Sequence, residues 1–413
     1  MTSKESVNAA PWLIPGLVQN ILRKSENDGS ITVHNITSKR ATADGDNYLS
    51  DISRVHVEFQ RGQPDHEIKE KKTLIFKVSL NKDTPACDVG DAYQVFETES
   101  EMMENTLVRM NEILNENNYR LSARAFHTQI GDPSFLVLQD LVAEGFRMGD
   151  RKVGLDLDHA LIVVRGLAKF HASSIALHEK NSKSTQRYKR GIYNNESPEQ
   201  VRFFIAEAFR GLSAEAKNWP ELDPSYSEKL LKLSEVCFEK GIKCSEYREN
   251  DFNVLNHGDA WMNNLMFKYD SEGKVVNQIF LDFQLCMWTS PAYDLYYSLC
   301  SHSNDETYIN HFDTLVAEYS KMLTSTMLKI KCKRKPPSLD SIRQCMKERE
   351  FLAVLDSIVC IPFTLVDESE VVSLSDLVKT DRKLSSPGIK DKRFRRLITK
   401  RLKDWNARGL LDV

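Results

Sequence analysis

The hydrophobic pattern of this chain changes period near residue 140, and that change limits the possible architecture more than any other feature. Before it, RVHVEF (54–59) alternates apolar and polar residues and TLIFKV (73–78) is apolar and β-compatible. The turn residues GQPD (62–65) lie between them, so the segment predicts a β-hairpin. From 92 to 115, AYQVFETESEMMENTLVRMNEILN sets Val95, Met102, Leu107, Met110 and Leu114 near helical spacing with acids between, which predicts one helix. FLVLQDL (135–141) reads as a short strand leading into a polar connection. The stretch GLDLDHALIVVRGLAKFHASSIAL, from 154, is strongly helical. A chain of 413 residues exceeds the size at which one core usually stops growing. The expectation is an α+β molecule with a β-rich domain over 1–140 and a helical domain over 141–413.

Composition excludes some classes. Hydrophobic residues make up 41% and charged residues 28%, with a net charge of -3, so neither disorder nor a global affinity for nucleic acid is indicated. The N-terminus lacks the cationic head, apolar core and cleavage site of a secretory signal. FLAVLDSIVCIPFTL (351–365) is interrupted by Asp356 and Ser357 and is too short to span a bilayer, so it reads as a buried helix. Eight cysteines form no CxxC pair, which fits reduced thiols in the cytoplasm. In KDKRFRRLITKRLKDWNARG (390–409), Phe394, Leu397, Ile398, Leu402 and Trp405 share one helical face among many cations. Docking of that face on the second domain is the expectation, and a membrane-surface helix is the alternative.

The octet HGDAWMNN (257–264) carries the chemistry. Asp259 and Asn264 are five residues apart, and QIFLDFQ, a strand-like run, brings Asp282 18 residues after the asparagine. Hard cations such as Mg²⁺ take oxygen ligands, and phosphoryl transfer needs them to neutralise nucleotide phosphates while a further carboxylate accepts or orients the attacking hydroxyl. The order points to Asp259 as base and to Asn264 and Asp282 as metal ligands. Taken alone, the octet reads more readily as a turn whose Asp and Asn bond local amides. Two upstream residues in matching order shift that balance. Lys77 ends the apolar segment LIFK, and Glu99 follows 22 residues later on the predicted helix, the order of a strand lysine paired with a helix glutamate.

The segments ADGDNYLSDISRV (43–55), LIFKV, FETESEMM, LVLQDL, LAKFHA (167–172), HGDAWMNNLMF, IFLDFQ and SPAYDL (290–295) resemble the ecdysteroid kinase-like (CHK kinase-like) family. That family is abundant in insects and related to choline kinases and aminoglycoside phosphotransferases. The resemblance covers roughly residues 10 to 375. It implies a bilobal protein-kinase-like fold, with a small β-rich N-terminal lobe and a larger, mainly helical C-terminal lobe, that transfers the ATP γ-phosphate to a small-molecule hydroxyl with Mg²⁺. It further implies that Gly45, Asp46, Asn47 and Ser50 cover the phosphates, that Lys77 contacts phosphate and pairs with Glu99, and that Gln139, Asp140 and Leu141 form the hinge. Asp294 would steady the catalytic loop. The hinge departs from the family's common Glu-Asp-Leu, and Met103 stands where an aromatic is common.

More than a hundred residues between the hinge and HGD have room for a substrate wall, and the short run after Asp282 leaves no docking loop for a peptide. A monomeric enzyme with a small alcohol as acceptor is expected. Two alternatives remain. A choline or aminoglycoside kinase needs an acidic pocket, for which Glu207, Glu215, Glu221 and Asp223 are candidates; a non-catalytic binder would keep the fold as a pocket for a hydrophobic molecule. Among the nearby aromatics, Phe283, Trp288, Tyr293, Tyr296 and Tyr297 read as core packing, and Trp261 as the ring that faces the acceptor. His171 reads as a satisfied core histidine, and His257, grouped with the catalytic residues, as a loop-fixing one.

Overall fold

The computed structural model describes residues 11–42, 49–62, 67–80, 82, 84–367, 370 and 387–413. The fold is bilobal: an antiparallel β-rich N-terminal lobe and a mainly helical C-terminal lobe. Strands β1 (Thr32–Arg40), β2 (Ser50–Arg61), β3 (Ile68–Ser79), β4 (Ala125–Gln129) and β5 (Phe135–Gln139) form one sheet in the order β1-β2-β3-β5-β4. The expected hairpin is β2–β3, with Val55 opposite Leu74. Its turn residues 63–65 lie outside the described residues.

Strand alternation divides the labour of this sheet, because successive side chains point to opposite faces. Val55, Val57, Phe59, Leu74, Phe76, Phe135 and Val137 bury against Val18, Ile21 and Leu22 of helix α1 (Pro15–Glu26). Ile52, Arg54, Ile75, Lys77 and Leu138 project from the other face into a cleft between the lobes. One face makes the core and the other the site.

The single helix expected over 92–115 is a correction. Helix α2 (Pro85–Tyr93), capped by the Thr84 side chain, stops where Gln94 turns left-handed (φ 54°). Helix α3 (Val95–Glu101) then runs through a π-turn at Met102–Thr106 into α4 (Leu107–Leu114). A π-turn inserts one extra residue and re-phases the faces on either side. Glu99 and Met102 before or within it, and Met110 and Leu114 after it, are consequently all buried.

In the second lobe, β6 (Phe146–Met148), β8 (Leu265–Tyr269) and β9 (Val275–Phe280) form a small sheet, and β7 (Val254–Asn256) pairs with β10 (Met287–Thr289). Around them lie α5 (Leu157–Lys180), α6 (Lys183–Gln186), α7 (Glu199–Ala216), α8 (Ser225–Ser245), α9 (Ala292–His302), α10 (Asp305–Lys329), α11 (Leu339–Lys347), α12 (Phe351–Leu365) and α13 (Lys392–Ala407). Helix α5 is long and apolar enough to cross a membrane, but it is the core helix of this lobe: Val163, Val164, Leu167 and Phe170 are fully buried, and it packs along α10. Helix α12 is nearly all buried, in line with the reading of 351–365. On α13, Phe394, Leu397, Ile398, Leu402 and Trp405 are buried, so its apolar face is docked on the lobe. Burying such side chains is worth roughly 1.5–3 kcal/mol each, which leaves that face committed to the fold.

Candidate active site

Lys77 sits on β3 between Ile52 of β2 and Leu136 of β5, with its side chain buried in the cleft. Its Nζ lies 2.5 Å from Glu99 Oε2 and 2.5 Å from Asp282 Oδ1, with Gln284 Oε1 at 3.4 Å. Burial disfavours the ammonium, but the two carboxylates outweigh it and push the Lys77 pKa above its ordinary value. Glu99 is raised, because burial lifts it and Lys77 pulls it only partly back. One cation therefore ties the N-terminal sheet and α3 to the segment after β9.

Asp282 is held in the left-handed region (φ 63°, ψ 67°), which non-glycine residues seldom adopt and which costs about 1–3 kcal/mol. Its neighbours over-determine that conformation. Leu281 N donates to Asn264 O (2.9 Å), Leu281 O accepts from His257 Nε2 (2.9 Å), and Phe283 packs 4.7 Å from the His257 ring. Strain at this point aims the Asp282 carboxylate into the cleft.

The HGDAWMNN segment (257–264) lies between β7 and β8. Asp294, fully buried at the start of α9, accepts from His257 N (2.7 Å) and Gly258 N (2.9 Å). It is itself bonded to His171 Nε2 (3.0 Å), whose Nδ1 meets Tyr319 OH at 2.8 Å. His171 is thus a satisfied core histidine that anchors the loop through Asp294. Gly258 has φ 84°, and a Cβ there would stand 2.0 Å from Leu285 O, so only glycine fits. His257 is a positioning group: Nε2 donates to Leu281 O and Nδ1 accepts from Asp259 N (3.3 Å), while burial lowers its pKa and keeps the ring neutral.

Among the described residues, the side-chain donors to Asp259 are neutral. Tyr297 OH donates to Oδ1 (2.5 Å), and Asn264 Nδ2 donates to Oδ2 (3.0 Å) and to the backbone oxygen (2.9 Å). Burial, then the charge of Asp282, pushes the carboxyl up to about 8, against the opposing pull of Tyr297, Asn264 and Lys77. A carboxyl poised there is matched to taking a proton near neutrality.

A cleft of about 550 Å³ lies between the lobes, and Asp259 adjoins its lining through Asn264. Ile52, Ile75, Leu138 and Met266 supply apolar walls, and Lys77, Glu99, Asn264 and Asp282 lie at its inner end, with Gln139, Asp140 and Leu141 lining it as well. The Asp140 carboxylate is taken up by Arg54 Nε (2.7 Å) and Val142 N (3.2 Å), and the Gln139 side chain by Arg124 N and Glu144. Gly45, Asp46 and Asn47 lie outside the described residues, although Ala41 and Thr42 just before them line the cleft. Ser50 is buried at the start of β2 opposite Ser79. Of the acids considered for a cationic acceptor, three are engaged elsewhere: Glu207 with Arg210 (2.7 Å), Glu221 with Arg395 (2.5 Å) and Asp223 with Ser225 N (2.9 Å).

A strand lysine bridging a helix glutamate and an aspartate beyond a second sheet, over an H-x-D loop, defines a kinase-like bilobal protein. The chain belongs to the ecdysteroid kinase-like family, whose model matches residues 44–332. No curated protein matches the chain.

Three participants escaped the sequence reading. Tyr297 read as packing, yet it bonds Asp259. Gln284 approaches Lys77 from the residue pair after Asp282. Arg54 holds Asp140 at the end of β5, a contact between residues 86 positions apart that no periodicity reports.

Proposed function

We propose that this chain is an ATP- and Mg²⁺-dependent kinase that phosphorylates a hydroxyl of a small molecule, an ecdysteroid or another small alcohol. The observation that carries the reading is the Lys77 bridge to Glu99 and Asp282 at the cleft's inner end, beside an Asp259 whose pKa is raised to about 8. Residues 1–140 form the nucleotide lobe and 141–413 the lobe that holds catalytic loop and acceptor. The protein is a monomer, and its setting is cytoplasmic, in keeping with eight cysteines that form no disulfide.

Asp282 and Asn264 would hold the metal. Asp282 offers carboxylate oxygens with a side chain 16% exposed, and Asn264 donates through nitrogen to Asp259, so its amide oxygen is the hard donor. Two protein oxygens suit Mg²⁺, which keeps waters and phosphate oxygens in the rest of its sphere. The bound ion supplies charge neutralisation on the phosphates. The residues do the rest. Lys77 offsets phosphate charge, Glu99 holds Lys77 in place, and Asp259 orients the acceptor hydroxyl and takes its proton. The hydroxyl oxygen forms the new bond to the γ-phosphorus as the bond to ADP breaks.

The test is phosphoryl transfer from ATP to ecdysone, cyclohexane-1,2-diol, cyclohexanol and choline. Turnover with a neutral alcohol, falling by roughly 10²- to 10⁴-fold in Asp259→Asn at unchanged nucleotide affinity, is expected. Undiminished turnover in the variant rejects Asp259 as base. Turnover with choline alone makes the protein a choline-type kinase, and nucleotide binding without any turnover makes it a binder.

A further inference from the structure

We infer that this chain has a second small-molecule site, apart from the nucleotide cleft, which takes a neutral ring compound bearing a hydroxyl or carbonyl. It lies in the C-terminal lobe, between the end of α8, the segment joining α6 to α7, and β10. The site is independent of the kinase reading, since neither Asp259 nor any residue that lines the cleft lines this second cavity.

The cavity measures about 530 Å³, within the range of ligand pockets. Tyr188, Tyr193, Ile242, Tyr247, Met287 and Trp288 supply its apolar wall. Much of that wall is fixed in advance. The Trp288 ring stacks on His178, with centroids 4.4 Å and planes 11° apart, and Trp288 N donates to Tyr188 O (2.8 Å). Tyr188 OH meets Thr106 Oγ1 at 2.7 Å, and the Tyr193 ring packs edge-on against Phe238 at 5.6 Å. A wall held in this way keeps the ordering cost of binding low.

Two features of the cavity are left unexplained by folding. Ser245, the last residue of α8, is 1% exposed and lines the cavity, and its hydroxyl has no hydrogen-bond partner among the described residues. Most buried hydroxyls in native proteins are satisfied, so an orphaned one with a cavity beside it is a group for a ligand to complete. Tyr247, two residues further on, is 47% exposed. An exposed large ring is ordinary by itself, but this one shares a cavity with Tyr188, Tyr193 and Trp288, all buried, and a ligand seated among them would cover it.

The lining also narrows the ligand. Aromatic rings and a methionine thioether favour a flat apolar ring system. Lys189 and Glu246, both exposed, give the lining one charge of each sign, so net charge favours neither an anion nor a cation. A serine hydroxyl both donates and accepts, which suits a hydroxyl or carbonyl on the ring.

The probe is 2-naphthol, with 2-naphthoate as its charged counterpart. Equilibrium dialysis against the full chain is run with and without a saturating non-hydrolysable ATP analogue and Mg²⁺, in wild type, Tyr247→Ala and Ser245→Ala, and thermal unfolding is recorded for each. The expected result is one equivalent of 2-naphthol bound under both conditions, with 2-naphthoate weaker. Affinity should be about tenfold lower in Tyr247→Ala, which loses a ring contact, and about fivefold lower in Ser245→Ala, which loses a hydrogen bond, in variants that unfold no earlier than wild type. No saturable binding up to about 1 mM overturns the inference, as does equal affinity in all three proteins or displacement of 2-naphthol by the ATP analogue. Failure of the ATP analogue to bind, with 2-naphthol bound as expected, rejects the kinase reading and leaves this site standing.

Discussion

Two buried polar clusters adjoin at this cleft, and they are built on opposite principles. Around Lys77 a cation is matched by Glu99 and Asp282, each 2.5 Å away. Around Asp259 the carboxylate has, among the described residues, Tyr297 and Asn264, both neutral donors, and its pKa climbs to about 8. Compensation keeps Lys77 charged, although burial raises its partner Glu99, whereas the lack of a cation beside Asp259 makes the second cluster one that exchanges a proton. In the proposed function those are the two tasks required, one to hold phosphate and metal and the other to receive the acceptor's proton.

The contrast can be broken most strongly at Lys77. Lys77→Met leaves two carboxylates facing each other without a cation, and removing one partner of a buried pair typically costs about 3–5 kcal/mol. A denaturant titration should show a loss of that size, and Lys77→Met/Glu99→Met should recover part of it. A strictly additive double variant would mean that the two residues are not coupled.

Acid stability sharpens the neutral side of the comparison. His302, buried at the end of α9, has a folded pKa near 3 against about 6.5 unfolded, so the unfolded chain binds the proton first. Its contribution is fully present above pH 6.5 and drains away as pH falls toward 3. The difference in stability between wild type and His302→Leu should therefore widen on acidification through that window. A pH-independent difference would show that His302 titrates normally.

A smaller change is expected at Tyr297. Tyr297→Phe removes one of the two side-chain donors on Asp259, and a single hydrogen bond to a charged group is worth about 1.5–3 kcal/mol. Turnover should fall about tenfold or more while MgATP affinity holds; a loss of nucleotide affinity instead would tie Tyr297 to the other cluster. The least effect is expected from Arg54→Ala, where a partly exposed ion pair with Asp140 is removed. An ATP KM raised a few-fold at unchanged kcat fits its place on the cleft wall, and a changed kcat would not.

The order Lys77, Glu99, Asp259, Asn264, Asp282 was legible in the chain because each residue stands on or beside an element whose pattern can be read. The docked α13 and the buried α12 were legible for the same reason, as stripes of apolar residues. What could not be read is whatever depends on partners far away in sequence. Tyr297 and Asp259 are 38 residues apart and Arg54 and Asp140 are 86 apart, and nothing local in either member signals the contact. The π-turn was hidden because an inserted residue leaves the composition of a helix unchanged while shifting its face. The Ser245 hydroxyl was hidden more deeply, since an unsatisfied group is defined by what surrounds it.

Calorimetric titration of a non-hydrolysable ATP analogue with Mg²⁺, into wild type and Asp282→Ala, tests the central claim most directly. The account predicts Mg²⁺-dependent binding to wild type and its loss in a variant that stays folded. Binding that persists in Asp282→Ala with the same dependence on Mg²⁺ would contradict it.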